Sequence, residues 1–199
     1  MPDYSYLPAS VVDNIANEFS VVATSIFRNN LLFAFIFGGF AKGYATVHHD
    51  IDMFVCVDSY IVDEIERFRA WYLAIHSHFS LPPDDRYPGE IVAKSLLDEK
   101  VRFLEGRPLK PEIETLYEYE AILWTDALSG RKLSVVGDRS ALAIFERRCS
   151  RLEELWRSEV SEMLGQPAPE LFAHLDLRRL FKKVPIVYHK LGDNTKPRD

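Results

Sequence analysis

Cysteine is scarce in this sequence, and neither a long apolar run nor a charged leader is present. Two cysteines in 199 residues, Cys56 and Cys149, are too few for a disulfide framework, and we interpret both as packing residues in a reducing compartment. No run approaches the roughly 20 apolar residues of a membrane span, and the N-terminus lacks the charged start of a signal peptide. The sequence therefore predicts a cytoplasmic protein that does not enter a membrane.

An excess of positive charge is also missing. The net charge is −6, and residues 1–138 hold 12 Lys and Arg against 21 Asp and Glu, whereas residues 139–199 hold 12 against 9. The acidic balance disfavours strong, general nucleic-acid binding. A basic helix face is predicted near the C-terminus, and it is either solvated or binds an anionic acceptor or partner. Its residues are Arg178, Arg179, Lys182 and Lys183.

The most informative segment is Phe35–Asp52, which reads FIFGGFAKGYATVHHDID. Ile51–Val57 is predicted to form a buried strand, so Asp50 and Asp52 point to the same side of it. Two neighbouring carboxylates repel each other, and burying both without a cation is costly. Mg²⁺ removes that cost, because it binds one or two carboxylates together with substrate phosphates. Two such ions can stabilise the attacking and leaving oxygens of an in-line displacement.

The two glycines before the aspartates complete the pattern. Leu31–Phe37 is predicted to be a second buried strand that ends at Gly38 and Gly39. Glycine lets backbone N–H groups approach a phosphate closely. We expect Phe40–Ala45 to form a short helix, and Lys42 either contacts a triphosphate or is a solvated turn lysine.

The histidines are weaker candidates. His48 and His49 precede the aspartates, but imidazole is a poor ligand for Mg²⁺, so we interpret them as loop residues near the site. His76 and His78 lie two residues apart in a predicted helix, where they do not share a face and cannot form a ligand pair.

The arrangement of Gly38, Gly39, Asp50 and Asp52 resembles the G-[GS]-x10-D-x-D motif of the DNA polymerase β-type nucleotidyltransferases. It is most similar to their small bacterial members, the minimal nucleotidyltransferases, which often read G-S-x-A-R-G-x-A-x(4)-D-I-D-L where this chain reads GGFAKGYATVHHDIDM. Lys42 stands in place of the usual Arg, and Gly39 in place of the more common Ser. The match covers about one tenth of the chain.

The resemblance implies a third carboxylate on a neighbouring strand. Glu90 is the candidate, because the predicted strand Gly89–Lys94 follows the helix that crosses over from the aspartate strand. Glu90 is either the third metal ligand or base, or an acid at a strand edge. Asp84 and Asp85 are rivals, but they lie in a proline-rich break where we expect them to cap or decorate a loop.

The predicted fold is α/β (α+β), with a small mixed sheet of nucleotidyltransferase type, helices packed on one of its faces and a helical C-terminal region. We expect a catalytic domain at residues 1–138 and a helical region at 139–199. The predicted helices are 9–29, 63–79, 95–104, 117–128, 139–164 and 170–183, and 132–136 is a further short strand.

The resemblance implies transfer of a nucleoside monophosphate from a nucleoside triphosphate to a hydroxyl, with release of pyrophosphate. Asp50, Asp52 and Glu90 would bind Mg²⁺, while Gly38 and Gly39 would bind the β- and γ-phosphates. ATP is the expected donor, because the resembling families commonly use it. The acceptor is a protein, such as a toxin partner, or a small molecule, and RNA is disfavoured. The alternative is a binding module that keeps the fold and catalyses nothing.

Overall fold

The structure, a computed structural model, describes residues 6–84, 89–106 and 115–164. These residues form six α-helices, a 3-10 turn at Arg28–Asn30 and a four-stranded mixed sheet. The strands are β1 (Leu31–Ile36), β2 (Met53–Val57), β3 (Glu90–Ala93) and β4 (Leu133–Gly137). The helices are α1 (Ala9–Phe27), α2 (Gly38–Lys42), α3 (Val62–His78), α4 (Lys94–Glu105), α5 (Leu116–Ser129) and α6 (Arg139–Leu164).

The sheet has the order β3-β2-β1-β4. Strand β1 lies at the centre and pairs antiparallel with both β2 and β4, whereas β2 pairs parallel with β3. A parallel pair needs a long crossover, and α3 supplies it between β2 and β3. The predicted mixed α+β class is therefore confirmed.

Both faces of the central strands are buried. One face carries Ala34, Ile36 and Val55, which join residues of α1 and α3 in a single apolar core. The other face carries phenylalanine rings that stack across the strands, with Phe35 and Phe54 at 5.1 Å between ring centroids. Continuous burial on two faces explains why β1 and β2 are uniformly apolar rather than alternating.

The chain divides into two compact units. Among the described residues, the first unit contains 6–84, 89–94 and 131–141 with the whole sheet, and the second contains 95–106, 115–130 and 142–164. In the second unit, Lys100 is buried on α4 and pairs with Glu120 of α5. Its ammonium lies 4.4 and 4.5 Å from the ring centroids of Tyr117 and Trp124. The predicted boundary at residue 138 remains a prediction.

Most predicted elements agree with the structure to within two or three residues, and α6 has the predicted bounds. The helix predicted at 40–45 is wrong in position, because α2 begins at Gly38 and ends before Gly43, which adopts a left-handed conformation at φ +84°. Strand β2 begins at Met53, so Asp52, which the predicted strand Ile51–Val57 included, precedes it, as Asp50 does. The predicted helix 170–183 and its basic face lie outside the described residues.

No helix in the described ranges combines the length and apolar character that crossing a membrane requires.

Candidate functional site

Strand pairing brings the glycine turn against the aspartates. Strands β1 and β2 pair in register up to Ile36 and Met53. One residue further, the backbone N–H of Phe37 donates to the carbonyl of Asp52 at 2.9 Å. Gly38 and Gly39 follow Phe37 directly, so strand pairing brings the glycine turn next to the aspartates.

Gly38 lies in direct contact with the Asp52 carboxylate. It adopts φ +63°, and a Cβ built on it would lie 1.8 Å from Oδ2 of Asp52. Only glycine fits here, because any side chain would both strain the backbone and occupy the position of the carboxylate. The carboxylate also accepts a hydrogen bond from the N–H of Gly39. That N–H, which the sequence assigns to a phosphate, is therefore directed at Asp52 in this structure.

Both aspartates carry raised pKa values. Burial, and then the charge of Asp50, raises the pKa of Asp52 to about 7, although the Gly39 N–H and the charge of Lys42 act in the opposite direction. Burial, and then the charge of Asp84, raises the pKa of Asp50. Such shifts are the expected result of holding carboxylates close together and partly out of water. A bound cation would relieve both effects.

The structure places two of the three candidates for a third acid, and Asp85 lies outside the described residues. Glu90 is the first residue of β3, half-buried and paired with Phe54 in the parallel ladder. Asp84, which the sequence indicated was only a loop acid, raises the pKa of both Asp50 and Asp52 through its charge. Asp84 is therefore part of the electrostatic environment of the pair, and the role predicted for Glu90 remains a prediction.

The loop between the glycines and the aspartates is held by its own side chains. The Thr46 N–H donates to Nδ1 of His49 at 3.1 Å, and the Thr46 hydroxyl lies 2.9 Å from the same nitrogen. The N–H of His48 donates to that hydroxyl at 3.3 Å. His49 also approaches Gly39, where an added Cβ would lie 3.4 Å from the imidazole. These contacts agree with a loop role for both histidines.

His76, a buried histidine of α3, contacts the segment that carries the two aspartates, and the sequence alone indicates no such role for it. Nε2 of His76 accepts a hydrogen bond from the N–H of Ile51 at 3.0 Å. Ile51 is the residue between the two aspartates. A helical histidine on an apolar face gives no signal of such a long-range contact, so only the fold reveals it.

The donor set fits Mg²⁺ only with further oxygen ligands. In the part of the chain that the structure describes, no group of three or more His, Cys, Asp or Glu side chains is placed to hold a metal ion. A pair of carboxylates is nonetheless what Mg²⁺ uses when substrate phosphates complete its shell. Asp50 and Asp52, with their raised pKa values, meet that description.

The raised pKa of Asp52 predicts a pH-dependent metal affinity. Below about pH 7 a cation must displace the proton of Asp52, so the Mn²⁺ association constant should fall about tenfold for each pH unit below 7. Above pH 7 it should level off. Calorimetric titrations between pH 5.5 and 8.5 measure this, and Asp52→Asn should show no measurable Mn²⁺ binding at any of these pH values. A flat profile for the unsubstituted protein would contradict the prediction.

Comparisons with protein-family models, curated proteins and solved structures found no match to this chain.

Proposed function

We propose that this protein is a metal-dependent nucleotidyltransferase with a nucleotidyltransferase-type sheet. The observation that carries the proposal is the contact of the Gly38 turn with Asp52, beside Asp50 and with both pKa values raised. Two repelling carboxylates held half-buried against a glycine turn support a site for a cation and a polyphosphate.

Five residues of the first unit are assigned a part in the proposed reaction. Asp50 and Asp52 would hold Mg²⁺, which when bound supplies charge neutralisation at the phosphates. Lys42 lies close enough to lower the pKa of Asp52, and its charge favours the triphosphate. The Gly38 and Gly39 amides favour the β- and γ-phosphates, once the Gly39 N–H exchanges its bond to Asp52 for one to phosphate.

The proposed transfer is a single displacement at the α-phosphorus atom. An acceptor hydroxyl attacks the α-phosphorus of the triphosphate, a new oxygen–phosphorus bond forms, and the bond to the departing pyrophosphate breaks. The hydroxyl proton passes to a carboxylate base, for which Glu90 and Asp84 are the two candidates. ATP is the proposed donor, and the acceptor is a protein side chain or a small molecule.

The reaction is tested with each of the four nucleoside triphosphates, Mg²⁺ and candidate acceptors. We expect pyrophosphate release and a mass increase of one nucleoside monophosphate on the acceptor. The double substitution Asp50→Asn with Asp52→Asn should remove both signals while preserving the circular dichroism spectrum. Mg²⁺-dependent nucleotide binding without pyrophosphate release across all acceptors would favour the binding module instead.

Glu90 and Asp84 can be separated in the same assay. The base should be the residue whose replacement by the matching amide lowers kcat by about 10²-fold or more with little change in KM. The other amide variant should lose less than about tenfold. Equal, small losses in Glu90→Gln and Asp84→Asn would exclude both as the base.

A further inference from the structure

Helix α3 carries two fully buried polar side chains, Tyr72 and His76, that contact the segments bearing the acids. They lie one turn apart, and their ring centroids are 4.1 Å from each other. Nδ1 of His76 lies 2.8 Å from the carbonyl oxygen of Tyr72, so this nitrogen carries the proton and donates. The second ring nitrogen of His76 is thereby fixed as an acceptor.

The acceptor nitrogen of His76 binds the segment that carries the two aspartates. It accepts the N–H of Ile51 at 3.0 Å, and Ile51 itself is buried in the core. Burial lowers the pKa of His76, which keeps the imidazole neutral and the acceptor available. One bond therefore fixes the backbone between Asp50 and Asp52.

The other segment held by α3 ends at Asp84. The backbone N–H of Asp84 donates to the Tyr72 hydroxyl at 3.1 Å, and the N–H of Leu81 donates to the carbonyl of His76 at 2.8 Å. Leu81 is buried and anchors the start of this segment. Four hydrogen bonds thus connect two neighbouring residues of one helix with both acid-bearing segments and with each other.

We propose that Tyr72 and His76 are positioning residues, which together hold Asp50 and Asp52 at a fixed separation from Asp84. This inference rests on the proposed function, because the separation matters only if the three acids serve a bound cation and its phosphates. Neither residue needs to touch the substrate. Each acts through a backbone amide of an acid-bearing segment.

The chemistry of the two side chains favours positioning over simple packing. A phenylalanine and a leucine would fill the same volume without placing polar atoms in the core. Instead, Nε2 of His76 and the Tyr72 hydroxyl each accept a backbone N–H from an acid-bearing segment, while Nδ1 of His76 donates to the Tyr72 carbonyl within α3. Burial raises the pKa of Tyr72, and the charges of Asp50, Asp84 and Asp52 act in the same direction, so the hydroxyl stays protonated.

Tyr72→Phe is the sharper test, because it removes one oxygen and keeps the ring. We expect faster hydrogen exchange at the Asp84 amide, by about tenfold, and a Mn²⁺ dissociation constant that is about threefold to tenfold higher. Because the effect passes through Asp84, Tyr72→Phe should add little to Asp84→Asn in a double-mutant cycle. Full additivity of the two substitutions would overturn this part of the proposal.

His76 is tested by a pair of substitutions. His76→Leu leaves the Ile51 amide without an acceptor and should speed its exchange and weaken Mn²⁺ binding. His76→Gln offers an amide oxygen at a similar reach, so it should restore much of both. If His76→Gln behaves like His76→Leu at the Ile51 amide, the hydrogen bond is not what positions the aspartates.

Phe19→Leu is the control for a loss of stability alone. Phe19 is fully buried on α1 and packs against Phe68 and Trp71 of α3. We expect it to lower the melting temperature while leaving Mn²⁺ affinity and the two amides unchanged. The same loss of affinity in Phe19→Leu, or unchanged affinity in Tyr72→Phe and His76→Leu, would overturn the proposal. Absence of nucleotidyl transfer with these differences intact would count against the proposed function alone.

Discussion

Asp52→Asn is expected to stabilise the metal-free protein at pH 8 by about 4 kcal/mol and to remove its response to divalent cations. The folded pKa of Asp52 is about 7, well above the ordinary 3.8 of an unfolded chain. The proton therefore favours the folded state, and the stability it contributes is complete below about pH 4 and lost as the pH rises through 7. Asparagine retains an oxygen for the Gly39 N–H and removes the charge.

Chemical denaturation at pH 8 and pH 4, with and without Mg²⁺, checks this expectation. The stabilisation by Asp52→Asn should nearly vanish at pH 4, where the native carboxyl is already neutral. Mg²⁺ should raise the melting temperature of the unsubstituted protein and leave the variant unchanged. The same variant should lose nucleotidyl transfer by about 10³-fold or more. A variant that is less stable than the parent at pH 8 would contradict the account.

Gly38→Ala is expected to weaken Mn²⁺ binding more than alanine at either of the other two glycines of this turn, Gly39 and Gly43. The new Cβ would occupy the position of the Asp52 carboxylate, 1.8 Å from Oδ2, on a backbone at φ +63°. Either Asp52 rotates away from Asp50 or the turn moves. We expect Mn²⁺ affinity to fall by about 10²-fold or more, since a displaced ligand contributes nothing to a bound cation.

Two neighbouring glycines provide matched controls in the same titration. Gly43 also has a positive φ, +84°, but nothing lies within 4 Å of an added Cβ, so Gly43→Ala introduces strain of about 1 kcal/mol without a clash. Gly39→Ala would meet His49 and Tyr44 at 3.4 Å, and its φ is not positive. Both variants should bind Mn²⁺ within about threefold of the parent. An equal loss in Gly38→Ala and Gly43→Ala would mean that strain, rather than the contact with Asp52, decides the outcome.

The sequence was sufficient to predict the two strands that flank the candidate site. Apolar β-branched and aromatic runs predicted β1 and β2, and the spacing of glycines and aspartates predicted that their connection would be functional. A buried strand needs only a short run of apolar residues, so it can be predicted from a local sequence pattern. The start of α2 was missed, since glycine is normally a poor helix former and the pattern placed the helix after Gly39.

Contacts between residues far apart in the sequence could not be predicted from local patterns. Asp84 looked like a loop acid, because nothing near it in sequence indicates that its charge reaches Asp50 and Asp52. His76 looked like an ordinary helical residue, since its partner Ile51 lies 25 positions away. Such contacts depend on how α3 crosses from β2 to β3, and that is a property of the fold rather than of a motif.

The most direct test of the site is binding of a nucleoside triphosphate analogue with a methylene group between the α- and β-phosphorus atoms. This analogue cannot release pyrophosphate, so the measurement needs no acceptor. Calorimetry should show binding in Mg²⁺, none in EDTA, and none after Asp50→Asn with Asp52→Asn. Failure to bind any of the four analogues, or binding that persists in EDTA and in the double variant, would contradict the assignment of a metal-dependent nucleotide site.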